Sequence, residues 1–255
     1  MVFVRANIAD MCWCTTTTLA ILSAAWLAFA VLCRAMDRTL SDDPMRNLAW
    51  LVVRVYARVV HRVRVFGLEH VARWRWGDAP VGPLVVVANH TSGVDPLLIQ
   101  AACGFEVRWM MMRNMMPRSL DGLWRWIDVI PVEQNGKDTT ALRTALRHLK
   151  AGGVIGIFAE GGLERPAGTV MPFEPGVGFI VQKSGARVLP VVIDGTPVCE
   201  SAMASLLQFS RARVRFLPVR VYGTTDASGI AEDLEIVIAE ALGWPRQHRS
   251  DAEES

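Results

Sequence analysis

Five short apolar runs, at residues 84–88, 107–112, 129–132, 154–158 and 188–193, recur along the chain, bounded by Gly or Pro and separated by stretches of helical periodicity. Runs of that length are buried strands, because globular helices need about ten to twelve residues, and strands alternating with helices build an α/β domain. The expected fold is therefore α/β, a mixed central sheet flanked by helices. The run at 154–158 reads as the central strand. A helix follows Asp138, with Leu142, Ala145, Leu146 and Leu149 on one face and Gly152-Gly153 at its end. Further helices are expected at 96–102 and 231–242. Arginines at alternate positions 211, 213 and 215 predict a half-exposed strand over 211–221, and the tail from Arg246 reads as polar and frayed.

A chain of 255 residues is long enough for one such domain, or for one domain plus an anchor. Its apolar fraction of 51% and charged fraction of 20% shift the expectation toward membrane association and exclude disorder. Residues 11–33 carry no charge. As a helix they would reach about 34 Å, enough to cross a hydrocarbon core of about 30 Å. Three readings stay open for this stretch: a spanning anchor, a signal peptide ending near Ala28-Phe29-Ala30, and a helix lying in one leaflet. Nine arginines between Arg34 and Arg75, against four acids, place the following domain on the cytoplasmic face. Within that region Arg46, Trp50, Arg54, Arg58 and Arg62 recur every four residues, with Leu51, Val52, Val55, Val59 and Val60 filling the other side. This is a basic amphipathic helix over 44–66, running into a first strand. It suits either anionic lipid headgroups or a solvated face over the core.

The net charge of +2 gives no reason to expect nucleic acid as a partner. The 27 cations are 24 Arg and three Lys, which favours phosphate and carboxylate forks but follows equally from base composition. Five scattered cysteines and five histidines show no metal-ligand spacing, so no metal is expected.

Three polar loops follow buried runs: Asn89-His90-Thr91-Ser92-Gly93-Val94-Asp95-Pro96, Ala159-Glu160-Gly161-Gly162 and Asp194-Gly195-Thr196-Pro197. Open α/β sheets place reactive groups at such strand ends. Asp95, five residues after His90 across a turn, can hold one imidazole nitrogen and leave the other as a general base. Asp95-Pro96 also reads as a helix N-cap followed by a first-turn proline, with His90 merely bonded to backbone.

These blocks resemble the glycerolipid acyltransferases of the lysophosphatidic acid (1-acylglycerol-3-phosphate) acyltransferase type. Asn89-His90-Thr91-Ser92-Gly93-Val94-Asp95 is similar to their Asn-His-x-Ser-x-x-Asp signature, the His-x4-Asp motif. Phe158-Ala159-Glu160-Gly161 is similar to their Phe-Pro-Glu-Gly block, and 188–193 followed by Gly195-Thr196 to their proline-containing strand. The resemblance covers residues 60 to 225. With the patterns read above, the expected organisation is an anchoring segment at 1–43, the basic helix at 44–66, an acyltransferase domain at 67–245, as the resemblance implies, and a polar tail at 246–255. The resemblance further implies that His90 takes the proton of an acceptor hydroxyl while Asp95 orients the imidazole, with no covalent enzyme intermediate. Oxyanion donors would be backbone amides of the first loop or of Gly161 and Gly162. The implied partners are membrane lipids, with acyl-CoA or acyl carrier protein as co-substrate and no bound cofactor. The acceptor would be held by Glu160, Gly161 and Gly162, with Arg113 and Arg165 as cations.

Two departures stand out. Gln134 occupies the place of an acceptor-binding Arg in the second signature, and Gly162 and Leu163 replace the Thr and Arg of the third, leaving Arg165 two positions late. A neutral amide does not replace a guanidinium fork on phosphate. A phosphate-free acceptor, and a catalytically idle scaffold of the same fold, are therefore the rival readings. Residues 109–117 hold five of the eleven methionines, which suit a flexible acyl chain: Met111 is expected in a core strand, Met115 and Met116 toward lipid. Trp124 and Trp126 are candidates for an interfacial edge.

Overall fold

A computed structural model describes residues 43–71, 82–133, 139–162, 167–199 and 203–247, together with Ser23 and Trp26. The apolar stretch at 11–33 otherwise lies outside the described residues, among which no helix is long and apolar enough to cross a membrane. Residues Met1–Leu48 form one unit and Ala49–Ser255 another. In the first, Asp43 accepts the Met45 amide at 2.9 Å, at the start of helix α1 (Pro44–Val59).

The remaining elements are β1 (Arg64–Phe66), β2 (Leu84–Ala88), α2 (Asp95–Ala102), β3 (Arg108–Met112), α3 (Asp121–Trp126), β4 (Ile130–Val132), α4 (Thr139–Lys150), β5 (Val154–Phe158), α5 (Pro175–Ser184), β6 (Arg187–Asp194), β7 (Arg213–Phe216) and α6 (Ala227–Leu242). They form one seven-stranded sheet in the order β1-β7-β6-β2-β5-β3-β4. Strands β6, β2, β5, β3 and β4 run parallel, whereas β7 pairs with β6 antiparallel and β1 follows β7. The sheet is mixed, as expected. Its middle strand is β2, not β5: all five residues of β2 are fully buried, and β5 and β6 pair with it on either side.

The apolar runs lack polar alternation because both faces are covered. Val85 and Val87 face α4, α5 and α6 through Ala145, Leu149, Val181, Ile230 and Leu234. Leu84, Val86 and Ala88 face α1 and α2 through Ala57, Leu98 and Ile99. Pro190 sits inside β6 because its missing N–H faces a bulge. There β7 leaves the ladder after Phe216, and Leu217 donates instead to the Pro190 carbonyl at 2.9 Å before Arg220 rejoins at Val188. That bulge also shortens the expected strand 211–221 to Arg213–Phe216, whose exposed and buried residues alternate.

Three further expectations need correction, and one helix was not expected. The apolar side of α1 does not cover the core: Val53, Tyr56 and Ala57 do, while Val52, Val55 and Val59 stay 58%, 55% and 61% exposed. β3 is only half-buried, since its outer neighbour β4 is three residues long. Arg246 and Gln247 are not frayed, because Gln247 and Pro245 sandwich Val170 through bonds of 2.9 Å. Helix α5 was unexpected, with two glycines lowering its propensity, and its burial of Val177, Ile180 and Val181 overrides that preference. The Asp138 cap lies outside the described residues.

His61, fully buried at the α1–β1 turn, ties α1 to the chain ahead of β7. The Tyr56 hydroxyl donates to the Leu206 carbonyl at 2.7 Å and therefore accepts from His61 Nε2 at 2.8 Å. Burial favours the neutral ring, in which Nδ1 accepts from the Ser210 hydroxyl at 2.8 Å. Burial depresses its pKa below the usual 6.5, partly offset by the Asp95 charge, and burial also lowers that of His148. Below about pH 6.5 the unfolded chain thus binds more protons than the folded one. Stability should be full above that pH and decline as pH falls toward the folded values. Urea midpoints from about pH 8 down to about pH 5.5 check this, and His61→Gln should flatten the slope.

Candidate active site

Strands β2, β5 and β6 end on the same edge, which gathers the three polar loops into one crevice. Asn89 closes the ladder where β2 stops: its amide donates to the Ile193 carbonyl and its carbonyl accepts the Ile193 N–H, both at 2.9 Å. The side chain thereby acts as one more backbone residue pairing with β6, and it fixes where the next residue begins.

That next residue, His90, directs Nδ1 to Asp95 Oδ2 at 3.0 Å. Asp95 is fully buried at the first turn of α2, and its carboxylate also accepts the Thr91 and Ser92 amides, each at 2.7 Å. The Thr91 hydroxyl donates to both carboxylate oxygens at 3.2 Å. Since its proton is committed there, Thr91 accepts from the Thr196 hydroxyl, 2.5 Å away across the crevice. Asp95 is therefore the partner of the imidazole and not the helix N-cap: Val94 holds the cap position with no side-chain cap bond, and the Asp95 carboxylate faces back onto the loop that precedes the helix. With Nδ1 donating to the carboxylate, Nε2 carries the lone pair. The His90 side chain keeps 18% of its surface exposed, so the ring is reachable from the crevice.

The ring plane is set by stacking. Phe158 lies against the imidazole with centroids 4.0 Å apart, and Trp109 lies against the other side of Phe158 at 4.9 Å. Gly156 makes room for the indole, because a Cβ there would come within 2.4 Å of it.

Glu160 is 5% exposed, and its Oε1 accepts the backbone N–H of His90 at 3.3 Å. One of its oxygens thus holds the first loop instead of facing an open subsite. Gly161 is exposed and Gly162 half-exposed on the turn after β5. Arg113, 60% exposed, is bound to Glu133 across the β3–β4 pair. Met111 is half-buried in β3, Met115 is 40% exposed and Met116 intermediate. Trp124 and Trp126 are partly buried on α3, beside exposed Leu123. Arg165, Leu163, Gln134 and Lys137 lie outside the described residues. Burial raises the Cys103 thiol pKa well above its ordinary range, so that thiol is inert. Among the described residues no group of three or more His, Cys, Asp or Glu could hold a metal ion.

Sequence reasoning gave no role to Asn89, Thr91, Thr196, Phe158 or Trp109. Asn89, Thr91, Phe158 and Thr196 lie inside the quoted blocks, but their partners are distant in sequence; Trp109 carried no signal.

The family model for acyltransferases matches residues 62–194, over half of the chain. The chain belongs to the acyltransferase family. It is 27% identical over 124 residues to the probable 1-acyl-sn-glycerol-3-phosphate acyltransferase of Mycoplasma genitalium. That match spans 46% of this chain and 46% of the relative, less than half the length of either. The crystal structure of the 1-acyl-sn-glycerophosphate acyltransferase PlsC from Thermotoga maritima superposes with a TM-score of 0.61 at 21% identity. It covers 86% of this chain and 88% of that one, which shows a shared fold.

Thr196→Val removes the donor to Thr91 and should lower kcat about three- to tenfold, the value of one hydrogen bond, with KM unchanged. Thr196→Ser should restore the rate. Steady-state kinetics with a pH profile of each variant check both.

Proposed function

We propose that the protein transfers a fatty acyl group from a thioester, acyl-CoA or acyl carrier protein, to the free hydroxyl of 1-acylglycerol-3-phosphate in phospholipid synthesis or remodelling. The observation that carries this reading is the His90–Asp95 pair at 3.0 Å, with a buried carboxylate and a reachable imidazole. His90 Nε2 takes the hydroxyl proton as the oxygen attacks the thioester carbonyl. The resulting tetrahedral oxyanion collapses, the C–S bond breaks, and the sulfur leaves with the proton returned by the imidazolium. Amides of Thr91, Ser92 and His90 already donate to Asp95 and Glu160, and the Gly161 amide donates to the Phe158 carbonyl at 3.4 Å, so the oxyanion donor is assigned to the Gly162 amide on the same turn. No cysteine and no bound cofactor takes part. The names of the two similar proteins support this acceptor. The apolar stretch at 11–33 anchors the enzyme, and its arginine-rich sequel keeps the domain on the cytoplasmic face.

A second reading has a specific observation in its favour. The Arg113 guanidinium is already neutralised by Glu133, and Gln134 stands where an acceptor-binding Arg is expected, so a phosphate-free lipid acceptor is the alternative. Labelled acyl-CoA and acyl carrier protein, each offered with lysophosphatidate, other lysophospholipids and phosphate-free lyso-lipids, decide both donor and acceptor. Preference for lysophosphatidate supports the first reading, and indifference to the phosphate supports the second. His90→Ala should lower the rate about 10²- to 10⁴-fold while leaving the circular dichroism spectrum and thermal midpoint close to the parent's. Full activity in that variant would remove the assignment.

A further inference from the structure

The valine stripe that α1 leaves exposed is part of a larger surface. At about 100° per residue, Val52, Val55 and Val59 fall within about 60° of arc beside Tyr56. Tyr56 reaches the carbonyl of Leu206, and Ser210 donates its N–H to the Val60 carbonyl at 3.2 Å. Between those two ties the chain presents Leu207 and Phe209, 85% and 75% exposed. These side chains are not on a loose loop, since Ser210 also bonds the buried His61. Two large apolar groups are held in water by bonds on both sides, next to three exposed valines.

The surroundings are cationic. Arg58, Arg62, Arg64, Arg211 and Arg213 are all exposed, and Asp194 pairs with one of them, Arg213, at 2.6 Å. Arg64 and Arg213 are register partners on β1 and β7. Because those strands run opposite to β6, their starts lie on the edge where β2, β5 and β6 end, the edge that carries His90 and Glu160. The two places are also in contact through the loop after β6. A Cβ on Gly195 would lie 2.5 Å from the Arg211 carbonyl, while the next residue, Thr196, bonds Thr91 in the crevice.

We infer that this surface docks the domain on an anionic bilayer: Leu207, Phe209 and the α1 valines enter the boundary between headgroups and acyl chains, and the arginines bind lipid phosphates. Charge selects this occupant. In a two-fold pair of identical chains the same patch meets itself, which would press the arginine cluster against its own copy. A lipid surface supplies both apolar depth and negative charge. The docked domain then opens its crevice toward the bilayer. That consequence rests on the proposed acyl transfer to a lipid; the docking itself does not.

The experiment uses the full chain on vesicles of phosphatidylcholine with and without phosphatidylglycerol. Residues 11–33 would hold every variant near the vesicle, so the readouts are local. In Phe209→Trp the added emission should be quenched by lipids brominated high on the acyl chain, more strongly with phosphatidylglycerol present. The double variant Leu207→Ser, Phe209→Ser should keep the parent's rate on a water-soluble short-chain acceptor and lose about tenfold or more on a vesicle-borne one, from the two lost burials. Unquenched emission at 209 overturns the inference and assigns the surface to solvent, an acidic protein or a second copy. Equal loss on both acceptors also overturns it, because Leu207 and Phe209 would then act on the fold or the crevice. If no acceptor is acylated at all, the proposed function fails, and quenching still decides the docking.

Discussion

A carboxylate with no exposed surface organises this molecule. Moving an ion out of water costs several kcal/mol unless its lone pairs are filled, and Asp95 fills them from a single loop: one imidazole nitrogen, two backbone amides and one hydroxyl. To supply those donors the chain between Ala88 and Pro96 has to wrap around the carboxylate, and the wrapping fixes both the entry to α2 and the direction of the imidazole. The Asn89 amide adds a second fastening, to β6, and the Glu160 carboxylate a third, from β5. Three neighbouring strands thus hold one eight-residue loop, which is how a loop attains the rigidity usually reserved for regular elements.

The strand-and-helix alternation was legible because both faces of a mostly parallel sheet are covered, which leaves uninterrupted apolar runs. Strand order was not. The runs at 84–88 and 154–158 have similar compositions, and their places in the sheet follow from the crossovers, which no local window contains. Asp95 was legible as a partner for His90 because only five residues separate them. Thr196 and Thr91 are 105 residues apart, and Phe158 reaches His90 from another strand, so neither relation leaves a mark on sequence spacing. Arg113 illustrates the converse: its charge was visible, but Glu133, which neutralises it, is brought close only by the β3–β4 pairing.

Helix α1 shows how an amphipathic pattern misleads when read with two faces. It has three. Val53, Tyr56 and Ala57 meet the sheet, Arg54 lies over the Trp50 ring at 4.3 Å with Arg58 one turn on, and the valines occupy the interval. A two-sided reading assigns every apolar residue to the core and so hides the residues that the core does not use.

The stack of His90, Phe158 and Trp109 upon Gly156 couples four positions that share no hydrogen bond. Planar rings transmit displacement along their normal, and a packed interior yields little sideways. The empty side-chain position at residue 156 is therefore a mechanical datum for the imidazole, three bodies away. The orientation of the imidazole is thus gauged from the interior of a neighbouring strand.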